Sequence, residues 1–398
     1  TGYVGLAFLI VALAALRGSS GATRLTAPIP HLPVLLVLGA IAAALLLVPA
    51  SYAYTGRGPW EMLDALRDQG GAYRRLQAQL WATEGQRNMI VAMRAFAAPV
   101  TFAVLPLGII HWRSIGIIGR LAVVVTVLAS ITFSILCGTD KEIADLFVIG
   151  IAAAFVAYGR SRTFGHQGFE LVRRFWKPAL VALVFVYFAQ GLFTDRKDAR
   201  LGGYVSRTAV CANESRICAD LENPWISWLP LRQRFGTTFF ILSTSSGYYG
   251  LALALEKPFE SAYGIGHSPA ATSVYETVSG DRSLHMRTYT YRNGADRWSE
   301  EFYWSTLITW IANDVGFVGA LAVLGLVAYL WGRWWREAAA GMSDPAAVLF
   351  AAATMMMVYL PANNQLLASY DGYTVLAVWI GVWLWHRRSR GLTAVVTS

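Results

Sequence analysis

The stretch LPVLLVLGAIAAALLLVPASY, Leu32–Tyr52, decides the class of fold. It carries no charged side chain, and a helix needs roughly 17–25 mostly apolar residues to cross a bilayer. Similar runs recur near 2–16, 89–111, 117–137, 144–158, 178–193, 304–331, 345–361 and 373–386. Together they predict about nine transmembrane helices. The composition agrees. Of 398 residues 56% are hydrophobic and only 14% charged, and the mean hydropathy is +0.45. A soluble domain is nearer a quarter charged, so soluble, disordered and fibrous classes are excluded. The expected fold is an all-α polytopic membrane protein with one large extracytoplasmic loop domain. The chain begins at Thr1 rather than Met and lacks the positive start of a signal peptide, so more helices are expected before it.

Arg and Lys set the orientation. Arg17, Arg24, Arg113, Arg120, Arg160, Arg162, Arg173, Arg174, Lys177, Arg333, Arg336, Arg387, Arg388 and Arg390 share one set of loops with almost no acids. By the positive-inside rule those loops are cytoplasmic. The net charge of +9 then reflects topology, and nucleic acid is not expected as a partner. The chain divides into membrane helices over 1–193, an extracytoplasmic loop domain over 194–303, and membrane helices over 304–398. Near 59–85, Leu63, Leu66, Tyr73, Leu76 and Leu80 recur at helical spacing around Gly70 and Gly71. This predicts two short amphipathic helices in the interface. In the loop, Cys211 and Cys218 stand either as a disulfide or as two free thiols. Phe239–Leu255 is too polar and Gly-rich to span, and predicts a re-entrant or interfacial helix pair.

Chemistry concentrates on the outer side. Gly138–Asp145 joins two helices and places Lys141 one turn before Asp145. Arg94 lies inside an apolar run, where it needs an anionic partner or must snorkel to the interface. Asp314 interrupts a long apolar helix, either as a functional group or as a partner of Arg94 or Lys141. Asn363, Asn364 and Gln365 present amides that bind sugar hydroxyls or cap a helix end. His267, between Gly266 and Ser268, is the first choice for a base; its alternative is a structural loop histidine. Tyr and Trp faces in the loop suit sugars, and Arg forks suit phosphate. No P-loop, GxSxG, HExxH or metal-ligand spacing appears, so no metal or other cofactor is expected.

The Gly138–Asp145 turn, Gly247–Leu251, Tyr263–Ser268, Trp310–Asp314 and Tyr359–Gln365 together resemble bacterial oligosaccharide-repeat-unit polymerases, the Wzy-type O-antigen polymerase group. The resemblance covers about 138 to 365. It implies a membrane glycosyltransferase of the GT-C type, acting without a metal at the outer face of the inner membrane on undecaprenyl-diphosphate-linked oligosaccharide. Other expected partners are membrane lipid, a chain-length regulator and a flippase. The group has no short universal catalytic signature, so single roles rest on the residues themselves. His267, Asp140 and Asp314 are the catalytic candidates. Arg94, Lys141, Arg207, Arg234 and Arg297 are the candidates for holding diphosphate, and Tyr248, Tyr249, Tyr263 and Asn364 for holding sugar. The rival readings are an O-antigen ligase, a transferase using polyprenyl-monophosphate sugars, and a flippase. A flippase would carry polar groups along the middle of several spans, whereas here they crowd one end.

Overall fold

A computed structural model describes residues 2–20, 31–82, 84–163, 194, 209–211, 218–300, 303–341 and 343–396. Its first helices are α1 (Gly2–Ser19), α2 (Leu32–Thr55), α3 (Met62–Arg67), α4 (Gln69–Ala82), α5 (Glu84–Ile110), α6 (Gly116–Leu136) and α7 (Lys141–Thr163). A short antiparallel ribbon pairs Ala209–Cys211 with Cys218–Asp220 and sets Cys211 opposite Cys218, which is disulfide-bonded. Then come α8 (Leu231–Ser245), α9 (Gly247–Leu255), α10 (Pro269–Ser279), the short α11 (Ser283–Met286) and α12 (Tyr289–Arg292), and finally α13 (Leu307–Ala339), α14 (Asp344–Val358) and α15 (Tyr370–Val396).

Among the described residues seven helical stretches are long and apolar enough to cross a membrane, making this a multi-pass helical membrane protein. Six match runs read from the sequence: Gly2–Ser19, Leu32–Thr55, Asn88–Ile110, Gly116–Leu136, Lys141–Arg160 and Leu307–Ala339. The seventh, Leu231–Leu255, unites α8 and α9 across Ser246, where Phe239–Leu255 reads from the sequence as a re-entrant or interfacial pair too polar to span. Two expected spans are not among the seven. The helix over 345–361 is only 15 residues long. The helix over 373–386 is diluted by Tyr370, Tyr373, Trp379, Trp383 and Trp385 and flanked by Asp371 and Arg387. The expected span at 178–193 lies outside the described residues.

The helices bury small residues alongside large ones and leave many large apolar side chains exposed. On α2, Leu36, Gly39 and Ala40 are buried, while Val34, Leu38, Ile41 and Leu45 are exposed. Lipid is as apolar as leucine, so helices associate through close packing of small side chains instead. The bundle has two polar ends. At one, Asp344 at the start of α14 accepts from His111 (2.8 Å) and from Arg160 (3.0 Å). At the other, Arg94 of α5 pairs with Asp371 of α15 (3.1 Å), and Gln365 donates to Asp145 of α7. Helices α3 and α4 pack at this second end, with Ala65 and Ala72 against Ile135 and Leu136. They part at Asp68, two residues before the expected Gly70, because the Asp68 carboxylate accepts from the Gly71 N–H (2.8 Å).

Helix α13 breaks at Gly316, whose φ of 68° and ψ of 174° lie in a region essentially reserved for glycine. The break interrupts the helical ladder, and nearby carbonyls find partners in the preceding loop. The Asn313 carbonyl accepts from the Ala262 N–H (3.0 Å) and the Asp314 carbonyl from the Ser261 hydroxyl (2.9 Å). A Cβ at Gly316 would meet only the Phe259 ring at an ordinary 3.6 Å. Gly316→Ala is therefore expected to cost about 1–3 kcal/mol of backbone strain. The check is the thermal unfolding midpoint of the detergent-solubilised protein; an unchanged midpoint would contradict this account.

Candidate active site

The turn before α10 is built around one carboxylate. Asp314 Oδ1 accepts from the N–H groups of Gly264 (2.9 Å) and Gly266 (2.8 Å). Its Oδ2 accepts from the His267 N–H (2.8 Å) and faces His267 Nδ1 at 2.9 Å. Successive backbone donors around an anion form a nest, and glycine is what such a turn needs. Tyr263 and Gly264 both have positive φ. A side chain on Gly266 would collide with Ala262 and Asn313. The neighbouring Asn313 completes the frame by donating to the Gly266 carbonyl (2.7 Å) and accepting from the Tyr289 N–H (2.8 Å). Asn364 donates to the His267 carbonyl, and Ser268 caps α10 while its hydroxyl donates to the Leu367 carbonyl. His267 is thus held by Asp314 of α13 and by Asn364, yet its side chain remains 28% exposed.

The protonation pattern follows from the partners. An ionised carboxylate only accepts, so Nδ1 of a neutral His267 carries the proton and Nε2 carries the lone pair. The Tyr373 hydroxyl donates to that Nε2. An Asp–His pair with this tautomer is the arrangement of a general base.

Beside it lies a cavity of about 270 Å³ between α2, α5, α6, α7 and α15. One part of its wall is charged or polar: Arg94, Lys141, Glu142, Asp145, Gln365 and Asp371. The rest is mostly apolar, with Leu46, Phe102, Leu105, Phe133 and Ile149, interrupted by the hydroxyl residues Thr101, Thr126, Ser130 and Ser369. Arg94 lies over the Phe133 ring (4.9 Å) and the Tyr54 ring (5.6 Å). Lys141 is exposed at the first position of α7. The segment from Asn364 to Tyr373 joins the cavity to the histidine: Asn364 and Tyr373 touch His267, and Gln365 and Asp371 line the cavity.

The other candidates divide. Asp140 caps α7, its carbonyl accepting from the Ala144 N–H (3.0 Å), and it is not part of the cavity wall. Arg234 spends its guanidinium on the carbonyls of Leu229 (2.7 Å) and Ser227. Arg297 is exposed in a left-handed turn, and Arg207 lies outside the described residues. Tyr249 packs edge-on against the buried Trp298 (5.0 Å), and Tyr248 packs against the main core. Tyr263 is 73% exposed, with Arg287 over its ring (5.8 Å), so it keeps a face for stacking. Asp145 takes Gln365 as its hydrogen-bond donor (3.1 Å to both oxygens), not Lys141. Asp371 and Tyr373 were not singled out from the sequence. A Tyr at a helix start is an ordinary interface residue, and only tertiary contact distinguishes this one.

Further along the loop, His285 Nδ1 meets Glu276 of α10 (2.5 Å) and its Nε2 meets Glu300. Arg282 pairs with the same Glu276 (3.4 Å), and the Tyr291 ring lies beside the imidazole (5.2 Å). The hydrogen bond to Glu300, aided by Glu276, raises the His285 pKa above its ordinary 6.5 against the opposing effect of burial. A raised folded-state pKa means the protonated form stabilises the fold. That contribution is complete below the unfolded value of about 6.5 and fades as pH rises through the higher folded value. Thermal midpoints are expected to fall as pH rises above about 6.5 in the wild type, with a flatter profile in His285→Gln. Parallel profiles would remove His285 from the explanation.

No protein-family model matches the chain, and no curated protein or solved structure matches it.

Proposed function

We propose that this protein polymerises lipid-linked oligosaccharide repeat units at the outer face of the bacterial inner membrane. In this reading it transfers the growing glycan from undecaprenyl diphosphate to the non-reducing end of a new lipid-linked unit. The observation that carries the reading is an Asp-oriented histidine beside a cavity whose polar side sets two cations, Arg94 and Lys141, among the carboxylates Glu142, Asp145 and Asp371, and whose remaining wall is mostly apolar. A lipid diphosphate has a matching division into a polar head, whose charge the two cations complement, and an apolar tail. The basic residues Arg17, Arg160, Arg336 and Arg387 lie toward the opposite end of the helices, which supports an outward-facing site.

The chemistry balances without a nucleotide. The acceptor hydroxyl gives its proton to His267 Nε2, and its oxygen forms a bond to the donor anomeric carbon. The bond from that carbon to the diphosphate oxygen breaks, and undecaprenyl diphosphate leaves with the electron pair. Arg94 and Lys141 stabilise the charge that develops on the leaving diphosphate. Asp314 holds the imidazole in the accepting tautomer and stabilises the imidazolium. Tyr263 offers a face on which a sugar ring stacks.

A deletion strain tests the reading. Its surface glycolipid is separated on a gel, and its undecaprenyl-diphosphate pool is weighed by mass spectrometry. A glycan capped at one repeat is the expected result. Full-length polymer stranded on the lipid carrier would make the protein a ligase. A truncated repeat unit would make it a monomer-adding transferase.

A further inference from the structure

Resting on the reading of the cavity as a lipid-diphosphate site, we propose that Asp371 is a displaceable counter-ion that couples headgroup binding at Arg94 to the release of His267 from Tyr373.

In the structure the base is capped: the Tyr373 hydroxyl donates to the nitrogen that must accept the acceptor's proton. Two residues earlier on the same turn of α15, Asp371 neutralises Arg94 at 3.1 Å. An anionic headgroup reaching Arg94 competes with Asp371 for the same guanidinium. The next residue of α5, Ala95, also grips this turn, its carbonyl accepting from the Thr374 hydroxyl (2.6 Å). Asp371 and Thr374, three residues apart, lie on the helix face toward α5, while Tyr373 lies off that face and reaches the loop. One turn of α15 therefore bears the cavity's counter-ion on one side and the cap of the base on the other. It begins at a loop, where Gly372 packs against the Leu366 carbonyl too closely for any side chain. Headgroup binding breaks the Arg94–Asp371 pair, leaves the Thr374–Ala95 bond as the pivot on which this turn shifts, and withdraws the Tyr373 hydroxyl. The base is uncovered only when a donor is in place, so the donor binds before deprotonation of the acceptor. Asp371 and Tyr373 are positioning residues here; neither exchanges a bond with substrate.

The test is the reactivity of His267 toward diethyl pyrocarbonate, an electrophile whose carbonyl carbon is attacked by an imidazole lone pair. Modification of its peptide is followed by mass spectrometry on the full chain in nanodiscs. His285, bonded at both nitrogens, serves as internal reference. Farnesyl diphosphate is expected to speed His267 modification about tenfold, within the usual range of coupling between sites. Asp371→Asn should react fast without ligand, and Tyr373→Phe fast with or without it. Coupling is reciprocal, so Tyr373→Phe should also bind farnesyl diphosphate tighter by about the same factor. A merely structural tyrosine would not tighten binding at Arg94. Inorganic pyrophosphate is run in parallel. A rise with farnesyl diphosphate alone assigns a lipid-linked occupant, and a rise with both assigns a free phosphate; each supports the latch. Unchanged His267 reactivity on saturation with farnesyl diphosphate, no binding of it, or unchanged affinity in Tyr373→Phe overturns it. None of these readouts requires glycan transfer, so failure of the polymerase reading shows separately, in the deletion strain.

Discussion

On the proposed reading as a polymerase, chain extension by the His267→Ala protein is expected to fall about 10²–10⁴-fold, the usual contribution of a general base. Asp314→Asn should approach the same loss by a different route. The amide replaces an oxygen that accepts with an NH₂ that donates. Set against Nδ1, it favours the imidazole tautomer whose lone pair points the wrong way. Set against Gly264 and Gly266, it opposes two backbone donors instead. The sharper expectation concerns the double variant. Because the two side chains act as one unit, His267→Ala with Asp314→Asn should be little slower than His267→Ala alone. The measurement is chain extension from purified lipid-linked repeat units in nanodiscs, with thermal midpoints as the folding control. Multiplicative losses in the double variant would mean that Asp314 only shapes the loop. Full activity in His267→Ala would remove the base and leave the reaction to Arg94 and Lys141.

The spans were legible because lipid imposes a composition that a window of about 20 residues reveals. Leu32–Thr55 and Gly116–Leu136 came within three residues of their expected ends for that reason. The reading faltered where apolar character is spread over aromatics, as in α15, or split between two short helices, as at Ser246. His267 and Asp314 were each legible as out-of-place polar groups, one on a glycine turn and one inside an apolar run. Their union was not, since 47 residues separate them and the pairing is a tertiary contact between a loop and α13. Arg94 was legible as a buried cation needing an anion, but its partner proved to be Asp371 rather than Asp314. Sequence locates the expense of burying a charge; only the fold names the group that offsets it. The same limit hid Tyr373, whose identity and position are those of an interfacial anchor.

The helix that carries Asp314 is itself held by a contact between backbones, and breaking it should be a large stability change. Helices α1 and α13 run parallel and in step: the Tyr3 hydroxyl donates to the Phe317 carbonyl (2.7 Å), and fifteen residues on, Gly18 meets the turn before Gly332. A Cβ on Gly18 would come within 2.1 Å of the Tyr329 carbonyl oxygen, and one on Gly332 within 2.1 Å of the Ala15 carbonyl oxygen. Both obstacles are backbone, so no side-chain rotation relieves them and the helices must separate. Close approach through small residues is what binds helices within lipid, where apolar burial gives no preference for protein over bilayer. Gly18→Val and Gly332→Val are each expected to cost about 3 kcal/mol, the upper part of the range for overpacking. Gly5, on the same helix, meets nothing within 4 Å, so Gly5→Val should leave stability unchanged. The contrast controls for the effect of valine in a membrane helix as such. Thermal and denaturant unfolding of the three variants in one detergent decides it. Equal midpoints for Gly5→Val and Gly332→Val would mean that α1 is dispensable to α13. The expected order has a functional corollary, since loosening α1 also loosens the segment that follows the Gly316 break. On the proposed reading, Gly332→Val should therefore lower chain extension although the residue lies at the end of α13 remote from His267.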